Sequence, residues 1–192
     1  MMELQQTYDE SNVGKWDGWY KNLPDNPGSF QYGDTLTYEL AAKFLEDCKE
    51  VEDWGVGGGG FLRYRPDAIG VDGSDTKFAQ KKYIDLRKYT TNVEGVHIRH
   101  IFEHNYNWKD ILENAVKSAT KKLAITMFIP LINEDSKELA HNAKHGVDVP
   151  DMAINENEFM NVITKTNPKN IHRETFTTET GYNKEEIIFI TF

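Results

Sequence analysis

The chain is poor in cysteine, in positive charge and in long apolar runs. A single cysteine, Cys48, excludes an internal disulfide and a cysteine-rich metal site, and fits a reducing compartment. It stands among apolar residues at helical spacing, so core packing is its expected role. No stretch approaches the roughly 18–20 apolar residues that a helical membrane span needs. The opening residues, MMELQQTYDESNVGKW, carry neither a basic leader nor an apolar core. They do not read as a signal peptide, and the expectation is a cytoplasmic protein. Lysine and arginine number 22 against 31 aspartates and glutamates, a formal net charge of −9. That balance disfavours a phosphate-backbone partner, so nucleic acid is not an expected ligand. The densest basic cluster, Lys81, Lys82, Arg87 and Lys88, reads as a solvated strand end. Internal repeats and low-complexity tracts are also missing, and nothing in the pattern fixes an oligomeric state.

What is present is the composition of a folded protein: 39% hydrophobic and 28% charged over 192 residues, enough for one domain with a sizeable core. Residues 1–34 are rich in Gly, Asp, Asn and Pro, with Trp16, Trp19, Tyr20, Phe30 and Tyr32 scattered among them. They read as an irregular arm, and residues 35–192 as the folded domain. Leu36, Leu40, Ala41, Phe44, Leu45 and Cys48 recur at helical spacing over about 35–49. Short strands are expected at Val51–Trp54, Ala68–Asp72, Tyr83–Leu86 and Gly95–Ile101. Trp108, Ile111, Leu112, Ala115, Val116 and Ala119 mark an amphipathic helix with Asn107 as N-cap. Leu123–Leu131 is nearly all apolar, as in a strand buried on both faces. After a looser stretch come a helix over about 155–165 and two strands, Ile171–Thr178 and Glu185–Phe192, joined at Gly181 as a hairpin. The alternation predicts an α/β fold with a mainly parallel sheet and an antiparallel end. Ligands of such sheets bind beyond the carboxyl ends of the strands.

The chemistry concentrates after the first strand. Gly55, Gly57 and Gly60 form G-x-G-x-x-G, a turn whose missing Cβ atoms let the backbone approach a ligand. Asp72 ends the next strand at the spacing where a carboxylate grips ribose hydroxyls. No G-K-[ST] follows, which excludes a P-loop. A dinucleotide would set its pyrophosphate on this loop. S-adenosylmethionine (SAM) has no phosphate and carries a cationic sulfur and an amino-acid tail. Asp53, two residues before Gly55, repels pyrophosphate and attracts an ammonium group, directly or through water, and so favours SAM.

Asp53-Trp-Gly55-Val56-Gly57-Gly-Gly59 resembles motif I of the class I SAM-dependent methyltransferases, D/E-x-G-x-G-x-G. Ile69-Gly-Val-Asp72-Gly73-Ser74 resembles their motif II, whose acid holds the ribose, and Asp85-Leu86 stands where the family contacts adenine. His97 to Asn105, through His100, Glu103 and His104, resembles the strand-four segment that borders the methyl group. The resemblance, to small single-domain members of the type 11 kind, covers residues 35–131 well and the final hairpin loosely. It implies a Rossmann-like, seven-stranded sheet of order 3-2-1-4-5-7-6 with strand seven antiparallel. It also implies SAM as cofactor, with Asp53, Gly55, Val56, Gly57, Gly59, Asp72, Gly73, Ser74, Asp85, Leu86 and His100 around it. The chain departs from the family in its four consecutive glycines, in Gly73 after the motif II acid, and in Glu94-Gly95 at the start of strand four.

An oxygen acceptor needs deprotonation, and histidine suits that near neutral pH. His104 is the first candidate base and His100 the second. His100-Ile-Phe-Glu103-His104 also matches H-x-x-E-H, an inverted zinc-protease motif. That chemistry needs both histidines on one helix face and a third ligand, whereas the match begins within a predicted strand, so no metal is expected. Trp16, Trp19, Tyr20 and Tyr32 are candidates for a lid over the acceptor, and Met127, Phe128 and Pro130 for further wall. The reading is a SAM-dependent methyltransferase acting on a small molecule or saccharide, on oxygen. A non-catalytic SAM-binding protein or subunit of a larger assembly, and a nucleotide- or NAD-binding module, are the alternatives.

Overall fold

Two apolar faces alternate along each central strand, and the sheet they build sits between helices. The computed structural model describes residues 11–27, 36–143, 147–178 and 183–192. Phe30, Tyr32 and Gly181 lie outside these. The elements in chain order are α1 (Asp17–Tyr20), α2 (Leu36–Phe44), β1 (Val51–Trp54), β2 (Ile69–Val71), β3 (Val93–Arg99), α3 (Trp108–Ser118) and β4 (Ala119–Met127). Then follow β5 (Lys137–Asn142), β6 (Val149–Ala153), α4 (Glu156–Thr164), β7 (Asn170–Thr177) and β8 (Lys184–Thr191). The main sheet has six strands in the order β2-β1-β3-β4-β8-β7. Its first four strands are parallel and the β7–β8 hairpin joins antiparallel to β4.

The period-2 alternation sorts the core. Trp54, Val96, Ile98, Leu123, Ile125, Ile188 and Ile190 face α3 and α4, whose Ile111, Leu112, Ala115, Phe159 and Ile163 meet them. Val51, Ala124 and Ile187 face the other way, onto Ala41, Ala42 and Leu45 at α2. Cys48 is buried in that second layer. Each of these large side chains, removed from water, contributes about 1.5–3 kcal/mol.

Two expectations are corrected. The strand over Tyr83–Leu86 does not form, so the seven-stranded order loses one edge strand. Only an isolated bridge joins Lys81 to Val71. Tyr83 has φ +57°, a left-handed conformation that breaks an extended run, and Ile84 N–H turns back to the carbonyl of Asp72 (3.0 Å). The looser stretch after β4 is in fact ordered, with β5 and β6 forming a separate two-stranded antiparallel ribbon. Local caps divide as well. Asn155 caps α4 by accepting from Glu158 N–H at 2.9 Å. Asn107 precedes α3 with no side-chain cap bond. No helix among the described residues is long and apolar enough to cross a membrane.

Candidate functional site

The carboxyl ends of β1, β2 and β3 open into one cavity of about 940 Å³, its mouth included. Its floor is the glycine loop. Gly55 has φ +78° and Gly57 φ +48°, conformations that side chains resist. A Cβ on Gly55 would also lie 2.1 Å from Ile101 Cδ1, so any other residue would push that side chain aside. The loop runs into a single 3₁₀ turn, Phe61–Arg63, in place of a full helix. Gly55, Val56 and Gly57 line the cavity; Gly59 does not, and packs against Phe78.

Asp72 lies in the wall at the end of β2. Its Oδ2 accepts Gly57 N–H and its Oδ1 accepts Ser74 N–H, both at 2.9 Å. Burial outweighs these two bonds and lifts its pKa to about 6. Gly73 lines the cavity beside it. Ser74 is buried behind the wall, where its hydroxyl accepts Trp16 N–H at 3.1 Å. Asp85 and Leu86 also line the cavity. The Asp85 carboxylate is already engaged by Arg87, Nε to Oδ1 at 2.9 Å and Nη2 to Oδ2 at 2.8 Å, which lowers its pKa. Lys81 and Lys82 pair with Glu52 and Asp75, so three members of the basic cluster serve acids of this chain.

Asp53 is not in the wall. It is buried behind the loop, with Oδ1 2.7 Å from His97 Nδ1 on the neighbouring strand β3. The His97 ring is stacked on Phe61 at 4.0 Å. The acid thus pairs with His97 across β1 and β3 and is not among the cavity-lining residues.

At the end of β3 the chain turns sharply, because His100 adopts φ +55°. His100 lines the cavity, yet its Nε2 lies 2.8 Å from Glu185 Oε1. Burial first, then the nearby Arg99, His104 and His97, push its pKa well below the ordinary value. Glu185 also takes Arg99 Nη2 and the Thr37 hydroxyl, the latter at 2.9 Å. Arg99 in turn reaches the Tyr38 hydroxyl at 3.0 Å and lies over that ring. Arg99 and Tyr38 line the cavity, and the sequence reading missed both. The available signal was a charged residue at the end of the apolar β3.

His104 sits on a 3₁₀ turn, Phe102–His104, and lines the cavity. Its Nδ1 is 3.1 Å from the Pro150 carbonyl oxygen on β6. Trp16 (5.5 Å) and Phe128 (5.2 Å) flank its ring. Glu103, between the two histidines in sequence, points elsewhere: it is buried and accepts Phe128 N–H at 2.5 Å. The H-x-x-E-H residues therefore face three different partners. Among the described residues no three His, Cys, Asp or Glu side chains are grouped to hold a metal ion.

The N-terminal arm roofs the cavity. Asn12 Nδ2 donates to the carbonyl of His104 (2.7 Å), and Gly14 N–H to the carbonyl of Gly73 (2.8 Å). Trp16 and Tyr20, stacked at 6.1 Å, line the cavity with Asn12 and Val13; Trp19 does not. Met127, Phe128 and Pro130 stay outside the wall, and Phe128 acts by packing on both histidines.

No family model matches the chain, and no curated protein matches it. Solved structures do. The N-terminal domain of EvdMO1, with S-adenosylhomocysteine (SAH) bound, superposes with a TM-score of 0.60 at 10% identity, covering 90% of this chain and 93% of that one. The magnesium protoporphyrin IX methyltransferase of Synechocystis PCC 6803, with SAM bound, gives 0.59 at 14% identity, covering 94% and 92%. The 1,6-didemethyltoxoflavin-N1-methyltransferase of Burkholderia thailandensis gives 0.54 at 12% identity, covering 82% and 79%. The fold is that of the SAM-dependent methyltransferases. In this chain the methyltransferase fold has a main sheet of six strands and a single 3₁₀ turn after the glycine loop, and the ends of β1, β2 and β3 converge on one cavity.

Proposed function

We propose that this chain is a SAM-dependent methyltransferase that delivers a methyl group to an oxygen of a small-molecule or saccharide acceptor. The observation that carries the reading is one cavity lined by the Gly55–Gly57 turn, by Asp72 and by His104. The residues fit the cofactor. The floor has positive φ and no side chains, so backbone can lie against a ligand. Asp72 is anchored by two amides and retains lone pairs for ribose hydroxyls. Leu86 and the Asp85–Arg87 pair line the same cavity, and by the family resemblance they would contact adenine. Bound there, SAM supplies a methyl group activated by sulfonium, which the acceptor oxygen takes as the sulfur keeps the bonding electrons.

This chain's own part is alignment and proton handling. Holding acceptor and methyl carbon in line supplies much of the rate of such a displacement. His104 takes the acceptor's hydroxyl proton on its second ring nitrogen, Nε2, because Nδ1 faces a carbonyl that only accepts. His100 is unsuited to that role, since Glu185 holds its Nε2 and its surroundings oppose protonation. The roof of Trp16 and Tyr20 suits a flat or saccharide acceptor.

The test is transfer of a labelled methyl group from SAM to a panel of phenols, saccharides and amines. Label on a hydroxyl acceptor, lost in His104→Ala, is the expected result. Transfer only to amines, or none to any acceptor despite SAM binding, contradicts it, the latter favouring a non-catalytic SAM-binding protein.

A further inference from the structure

The β5–β6 ribbon meets the cavity wall at His104. It is fastened on several sides: Tyr106 hydroxyl donates to Glu138 (2.8 Å), Lys15 Nζ to the carbonyl of Asp148 (2.8 Å), and His141 bridges Glu138 and Asp148 across its two strands. So fixed, β6 presents two oxygens to the same imidazole nitrogen. His104 Nδ1 is 3.1 Å from the Pro150 carbonyl oxygen and 3.2 Å from Asp151 Oδ1. Both oxygens only accept, so a lone pair on Nδ1 would be repelled twice. The Asp151 side chain is 27% exposed, which leaves its charge partly shielded from water.

We propose that Asp151 is a positioning residue that, with the Pro150 carbonyl, holds His104 in the Nδ1–H tautomer and compensates the charge of the imidazolium once Nε2 has taken a proton. This rests on the reading of His104 as the base, and extends it to a residue outside the cavity. A carboxylate behind the imidazole does two things a carbonyl alone does less well. It rejects the Nε2–H tautomer, in which Nδ1 would face it with a lone pair, and its negative charge stabilises the new positive charge at close range. Flanked by Trp16 and Phe128, the ring has little freedom to escape by rotation.

The experiment is nitrogen-15 NMR of histidine-labelled chain, with no cofactor or acceptor present, above the range in which imidazole protonates. The wild type is expected to give a single Nδ1–H tautomer for His104, assigned by its loss in His104→Gln. Asp151→Ala and Asp151→Asn are expected to show a mixture with a substantial Nε2–H population, and Asp151→Glu, which keeps the carboxylate, to restore the wild-type pattern. Thermal melts accompany each variant, and the Asn and Glu variants keep the measurement decisive if Asp151→Ala unfolds. An Nε2–H tautomer in the wild type, or spectra of the Ala and Asn variants identical to it, overturns the proposal. Failure of the base reading is seen separately: methyl transfer that survives His104→Ala removes the base role while leaving the tautomer result untouched.

Discussion

Asp72 Oδ2 accepts Gly57 N–H at 2.9 Å, so the acid that ends β2 is bonded to the glycine loop that follows β1. One contact fixes two walls of the cavity relative to each other. Asp72→Ala removes it and strands the amides of Gly57 and Ser74, each of which costs about 1–3 kcal/mol if buried and unsatisfied. The expected outcome is loss of SAH binding by at least tenfold with a lowered urea midpoint. Unchanged affinity in a calorimetric titration would remove Asp72 from the site.

Gly55→Ala tests the crossing of the loop beneath Ile101. It combines a positive φ of +78° with a clash at 2.1 Å. Overpacking costs about 1–3 kcal/mol, and the left-handed backbone about 1–2 kcal/mol more. The penalty is expected to shrink by about 1 kcal/mol or more in an Ile101→Ala background, measured as a double-mutant cycle of urea unfolding.

The Arg99–Glu185 pair is buried on both sides, with side-chain exposures of 5% and 0%. Breaking such a pair from one side leaves an uncompensated charge and costs about 3–5 kcal/mol. Arg99→Met is therefore expected to destabilise more than Arg99→Met combined with Glu185→Leu. Urea unfolding of the three proteins decides it, and a double variant at least as unstable as the single one contradicts it.

Glu103 gives a pH signature. Burial raises its pKa from an ordinary 4.5 to about 7, against weaker opposition from His104 and the amides of Phe128 and Ile129. The folded state then binds more protons than the unfolded state between those values, so this group's contribution to stability falls as pH rises from about 4.5 through 7. Glu103→Gln has no such dependence. Relative to the wild type it is expected to gain about 2–3 kcal/mol between pH 5 and pH 8, from a shift of about 2.5 units. A difference that stays flat over that range contradicts it.

The sequence carried the parts of this account that depend on near neighbours. Val51–Trp54 forms the strand read from it, and Gly55, Gly57, Asp72, His100 and His104 line one cavity. It failed where backbone conformation overrode pattern: Tyr83 has strand-like neighbours but a left-handed φ. It also failed where partners come from distant parts of the chain. Arg99 meets Thr37, 62 residues away, and Glu185, 86 residues away. Asp53 had the right residue type before the loop, but its partner His97 comes from the adjacent strand by register, Asp53 opposite His97. Asp151 lies on a ribbon whose mixed polar and apolar residues carried no clear period.

The proposed SAM site is built on Asp72 and the glycine floor. Isothermal titration of the purified chain with SAH, and in parallel with NAD, tests it most directly. Saturable one-to-one binding of SAH, lost in Asp72→Ala and absent for NAD, is the expected result. No binding of SAH or SAM at millimolar concentration, or NAD binding of equal strength, contradicts it.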